Sequence, residues 1–130
     1  MKVLILANIN STHTKKWCLG LKEQGIGVIL FSLNAIVDSD DWYLKLDYTY
    51  FPKSKPTKFD YLSIYFDLKK IIKDYKPDIL HSHFATNYSF LGAISGFKNH
   101  AVTTWGSDVF VYPNKNFIYR ALLKFNLSKA

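Results

Sequence analysis

The stretch "KVLILA", residues 2–7, constrains this chain more than any other. Val3 to Ala7 are all apolar, with no alternation. A strand with one wet face alternates apolar and polar residues. A continuous apolar run needs cover on both faces, as in a parallel sheet between two layers of helices. The polar turn "NINSTHT" follows, rich in residues that start helices. Next comes "TKKWCLGLKEQG", which reads as a helix with Trp17, Leu21 and Cys18 inward and Gly25 as its stop. "GVILFSL" is a second strand, which completes a βαβ unit.

The alternation continues. "YTYF" reads as a short edge strand, and Pro52 and Pro56 break the chain after it. "TKFDYLSIYFDLKKIIKDY" has helical periodicity, with Leu62, Tyr65, Leu68 and Ile72 facing in, Thr57 as N-cap and Pro77 as the stop. "DILHS" is a strand, "NYSFLGAISGF" a short helix and "AVTTW" a further strand; "GSDVFVYP" is a loop and "NFIYRALLKFNLSKA" a last helix. The pattern predicts one Rossmann-like α/β domain over residues 1–130. It is a doubly wound parallel sheet in three α/β/α layers, of strand order 3-2-1-4-5. Strands are expected near 2–7, 27–32, 48–51, 78–82 and 101–104, with the most uniformly apolar one, the first, at the centre. Residues 34–47, "NAIVDSDDWYLKLD", show no period. They read as a mobile excursion that exposes Trp42 and Tyr43 beside Asp38, Asp40 and Asp41.

Charge narrows the partners. The chain has 17 basic and 10 acidic residues, a net charge of +7, and Arg120 is its one arginine. The lysines are scattered, and bidentate reading of bases and phosphates favours arginine, which argues against nucleic acid. An anionic membrane surface or an anionic substrate suits a diffuse lysine excess better. Cys18 is the only cysteine, so no internal disulfide forms and a reducing compartment is expected. No stretch reads as a secretory signal or as a span of a bilayer, and a cytoplasmic location is expected.

In open α/β sheets, ligands bind beyond the carboxyl ends of the strands. That rule selects three loops. The first, "NINSTHT", lacks the glycines of a dinucleotide fingerprint or a P-loop. It offers Asn10, Ser11, Thr12, His13 and Thr14 at a helix start, either as simple caps or as ligands of an anion or a hydroxyl-rich molecule. The second, "HSHFATN", holds His81 and His83, which share one face of a strand, followed by the polar Thr86 and Asn87. No third metal ligand is adjacent; His13 or Asp108 could supply one only from other loops. His81 is expected to be buried and to brace the strand end. His83, further out and partly exposed, is the better base or substrate ligand. The third loop, "TWGSD", carries Trp105 as a flat surface for a sugar ring or as core, Gly106 for close backbone approach or an unusual φ, and Ser107. Asp108 is there either to accept hydroxyl hydrogen bonds or to cap the next segment.

On these residues the sequence resembles the N-terminal half of family-4 glycosyltransferases, retaining enzymes of the two-domain GT-B fold in bacterial polysaccharide and lipid-sugar synthesis. The pieces that carry the likeness are "KVLILANINSTHTKKWCLGLKEQGIGVILFSL", "KPDILHSHFATNYSFLGAISGF" and "VTTWGSDVFVYP", about half of the chain and in family order. Trp105 stands where family members often carry histidine, in "HGSD". "NINSTHT" replaces a glycine-rich first loop, as in a capsule-type subgroup. The resemblance implies an acceptor-side domain. The nucleotide-sugar donor would be held by a C-terminal domain with paired glutamates, for which this chain, with Glu23 as its only Glu, has no room.

The resemblance places His83 at the reacting sugar or the acceptor hydroxyl and Asn10, Ser11 and His13 on the acceptor side. Trp105 to Asp108 would form the floor. It implies no metal and no cofactor, a saccharide or lipid-linked acceptor, and a place in the cytoplasm or on the inner face of the membrane. A fragment of this kind is expected to transfer little sugar alone. The competing reading is a non-catalytic flavodoxin-like binding module. A receiver domain would carry acidic residues where Asn8, Asn10, His81 and His83 stand.

Overall fold

The computed structural model describes residues 1–37 and 40–130, so Asp38 of the expected excursion lies outside the described residues. Five parallel strands form one sheet in the order β3-β2-β1-β4-β5. They are β1 (Lys2–Leu6), β2 (Gly27–Phe31), β3 (Tyr48–Tyr50), β4 (Ile79–His83) and β5 (His100–Thr103). β1 is central, as its apolar run requires. Val3, Ile5 and Ala7 pack into one core with Cys18, Val28, Leu30, Trp42 and Leu46. Leu4 and Leu6 pack into the other, with Ile29, Phe31, Ile64, Leu68 and Leu91.

Helix α1 (Thr12–Glu23) covers the first face, and α2 (Asp60–Tyr75) and α3 (Asn87–Ser95) cover the second. A short helix α4 (Ser107–Phe110) and a final helix α5 (Phe117–Ser128) follow β5, and α5 packs on α3. The stretch expected to be a loop after β5 thus contains a helical turn.

Four expectations about side chains are corrected. On α1 the buried positions are Thr14 and Cys18, whereas Trp17 is 41% exposed. On α2 the inward residues are Ile64, Leu68 and Ile71, and Leu62 is 66% exposed. Thr57 does not cap α2; its backbone and hydroxyl instead donate to the Asp60 carboxylate, and the helix starts three residues later. Nor is Trp42 exposed. A 3₁₀ turn, Trp42–Lys45, folds it against the first core, and Tyr43 packs edge-on against Phe51. Sequence periodicity is blind to a single turn of this kind.

α3 lies unusually close to β4. A Cβ on Gly92 would sit 2.3 Å from the His100 ring and 2.8 Å from the Ser82 hydroxyl. Those two groups, both buried, share a 2.9 Å hydrogen bond beneath the helix.

Candidate functional site

The loops that leave β1, β4 and β5 converge at the carboxyl edge of the sheet. They enclose a cavity of about 380 Å³. From the first loop and α1 it is lined by Asn8, Ser11, His13 and Thr14; from β4 and α3 by His83, Phe84 and Tyr88; from the β5 loop by Trp105 and Ser107. None of these described lining residues is Lys, Arg, Asp or Glu. The walls are hydroxyls, amides, imidazoles and aromatic faces, a surface suited to a polar, uncharged ring.

Each wall has a local cause. Ser11 is the N-cap of α1, yet its hydroxyl makes no cap hydrogen bond. The turn is shaped instead by Asn8, whose side-chain oxygen accepts from the Asn10 N–H at 2.9 Å. His13 stands exposed on the first turn of α1 and stacks at a tilt on Trp105, with ring centroids 4.5 Å apart. Tyr88 closes the bottom; its hydroxyl donates to Asn34 at 2.6 Å and accepts the Leu33 N–H at 3.2 Å.

The two histidines exchange the environments expected of them. His81 is half-buried, with Nε2 2.7 Å from the Thr103 hydroxyl. His83, expected to be partly exposed, is 4% exposed, and its Nε2 is buried without a hydrogen-bond partner. β4 runs one residue further than the sequence suggests, so His83 ends the strand under the loops. Its ring lies 4.7 Å from that of His81 and 5.8 Å from Trp105. Burial, then the neighbouring His81 and His13, push the His83 pKa down to about 4. The ring is therefore neutral near pH 7 and can accept or donate through one nitrogen. Burial also lowers the pKa of His81, with His100 as a smaller cause.

Five further candidates lie outside the cavity lining. Asn10 does not line the cavity; its amide donates to Ala35 O at 2.8 Å and accepts the Val37 N–H at 2.9 Å, which pins the chain after β2. Thr86 is buried behind the wall, and Asn87 is exposed beside an apolar groove between α2, α3 and α5. Asp108 is fully buried and does not line the cavity. One oxygen accepts the Ala85 N–H at 2.7 Å and the other the Trp105 N–H at 2.9 Å. Gly106 has φ +96° with open space where a Cβ would go, so it serves conformation rather than close approach.

Sequence reasoning missed Asn8, Phe84, Tyr88 and Trp17. Trp17 packs edge-on against both His81 and His83, at 5.2 and 5.6 Å. The signal was present, because Trp17 lies four residues after His13 and so on the same helix face.

A family model described as "Glycosyl transferase 4-like" matches residues 2–130. The chain belongs to the glycosyl transferase 4-like family. No curated protein matches it significantly. Among solved structures it is similar to the UDP-GlcNAc 2-epimerase of Methanocaldococcus jannaschii, at 20% identity and a TM-score of 0.62 over 97% of this chain and 37% of that one. It is also similar to the UDP-GlcNAc 2-epimerase of Neisseria meningitidis, solved with UDP-GlcNAc bound, at 16% identity and a TM-score of 0.61 over 100% of this chain and 39% of that one. At such identities the likeness establishes the fold. The chain spans under two-fifths of the length of either structure.

Proposed function

We propose that this chain is the acceptor-side half of a two-domain, GT-B, retaining glycosyltransferase of bacterial cell-surface polysaccharide synthesis. The observation that carries the reading is the buried, unpartnered Nε2 of His83 in an uncharged cavity at the carboxyl edge of the sheet of a glycosyl transferase 4-like chain. A saccharide hydroxyl satisfies that nitrogen. Trp105 and His13 offer a flat wall to the sugar ring, and the hydroxyls of Ser11, Thr14 and Ser107 hold its edge. His83, neutral at pH 7, contacts the reacting hydroxyl. The nucleotide-sugar donor comes from the second domain. The UDP-GlcNAc bound to the Neisseria epimerase supports a donor of that chemical class.

A contact with an anionic membrane on its cytoplasmic side belongs to the same reading. Trp42 and Tyr43, expected to be exposed, are folded in, but α2 supplies an exposed aromatic surface. Phe59, Leu62, Phe66, Lys69 and Lys73 recur in steps of three and four residues along its outer face, all exposed. Asp60, Asp67 and Asp74 fall on a different flank, engaged with Thr57, Tyr50 and Lys70. α2 begins at the same sheet edge as the cavity, since β3 enters that edge and β4 leaves the opposite one.

The test is transfer of labelled sugar from nucleotide-sugars to saccharide or lipid-linked acceptors, with the chain joined to its C-terminal domain and alone. The joined protein is expected to transfer, insensitive to chelators, and the isolated chain to bind acceptor without turnover. Full turnover by the isolated chain, or loss of activity on chelation, overturns the proposal.

A further inference from the structure

Phe84 follows His83 directly and has φ +78°. Bulky side chains seldom adopt that left-handed backbone, and where they do, the surroundings hold them there. The bend turns the chain out of β4 and brings Phe84 into the cavity wall beside His83. Two side chains, both fully buried, grip the backbone just after it. Asp108 accepts the Ala85 N–H at 2.7 Å. Asn126, from the last turns of α5, donates to the carbonyls of Ala85 and Thr86 at 2.8 and 2.9 Å.

We propose that Asp108 and Asn126 are positioning residues that hold Phe84 left-handed and thereby fix His83 and Trp105 as facing walls of one cavity. Asp108 reaches both walls at once, because its second oxygen takes the Trp105 N–H at 2.9 Å. Asn126 keeps its donor at a cost: its Oδ1 is buried with no partner. An apolar residue would fill the site without that cost, so the amide is there for the two carbonyls it serves. A flipped amide would set oxygen against both carbonyls, which fixes its orientation. As a statement about turnover, this rests on the function proposed above; as a statement about geometry, it does not.

The test is a double-mutant cycle at Phe84 and Asn126. In the parent background Phe84→Gly is expected to melt higher than Phe84→Ala by roughly 2–6 °C, because glycine bears the left-handed bend without strain. In the Asn126→Ala background the loop relaxes and that gap closes. The His83 ring resonances should shift in Asn126→Ala, with a titration midpoint nearer the ordinary histidine value as water enters. In the joined enzyme, turnover should fall by about tenfold or more, with a smaller change in KM. Should Asn126→Ala not fold, Asp108→Asn replaces it, since that variant keeps the shape and one acceptor. An equal Gly–Ala gap in both backgrounds, or His83 resonances that stay in place, overturns the proposal. A closed gap and moved resonances in a protein whose parent transfers no sugar uphold the clamp and sink the functional reading instead.

Discussion

The cavity at the carboxyl edge and the outer face of α2 are both built from aromatic residues, yet they are opposites. In the cavity, Trp105, Phe84 and Tyr88 stand among imidazoles, hydroxyls and amides, with Trp17 packed edge-on against His81 and His83, and none of the described lining residues is an acid or a lysine. On α2, Phe59 and Phe66 stand 93% and 60% exposed among lysines. Burial at the cavity, with His81 and His13 nearby, lowers the pKa of His83. A wet aromatic stripe tunes nothing nearby and has value only against an apolar surface from outside. One composition, 17% aromatic, thus lines a cavity at one place and stands exposed to solvent at another.

The largest effect that separates the two regions is acid sensitivity. His83 has its pKa lowered to about 4 in the folded chain, below the ordinary 6.5. Its neutral form therefore contributes stability that is complete above about pH 6.5, is lost as the pH falls toward 4, and does not change further below that. A shift of this size corresponds to roughly 3 kcal/mol. His81 and His100, lowered by burial, act in the same direction. Urea unfolding across this range should show a slope that His83→Gln flattens and that Lys73→Glu, on α2, leaves alone. A parental slope in His83→Gln would mean that the cavity does not hold its histidine neutral.

Turnover comes next. In the joined enzyme His83→Ala is expected to lose about 10²-fold in kcat if the ring moves a proton, while it still binds vesicles. Loss of vesicle binding in that variant would merge the regions that the structure keeps apart. On the α2 side, the double variant Lys69→Glu, Lys73→Glu should bind anionic vesicles on the order of tenfold more weakly or worse. Equal parental binding to neutral vesicles would remove the electrostatic part. The smallest effect belongs to His81→Ala, which loses one half-exposed bond to Thr103 and about 1 kcal/mol of stability by thermal denaturation. A larger loss there than in His83→Ala would restore the reading in which His81 is the buried brace.

The sheet was legible because its signal is local. Val3 to Ala7 require two covered faces, and Gly25 and Pro77 mark helix ends without reference to anything distant. Helix phase was less legible: α2 carries apolar residues on its outer as well as its inner side, and the choice between Leu62 and Ile64 as the inner residue rests on packing that one sequence does not display. At the site, the three converging loops were readable from topology alone. The roles within them were not. A one-residue extension of β4 moved His83 from rim to interior. Asp108 and Asn126 work through backbone groups 23 and 41 residues away, and periodicity carries no trace of such pairs.

Cys18 turns α1 into a timepiece. It is the only thiol in the chain, it lies fully buried on the inner face of α1, and burial pushes its pKa up to about 12. A thiol reagent in neutral solution meets no thiolate until the helix lifts. The labelling rate then reads how often α1 opens. Because Ser11, His13 and Thr14 ride on that helix or cap it, a sugar seated against them should slow the clock in proportion to its occupancy, with no label on the sugar and no assay of transfer.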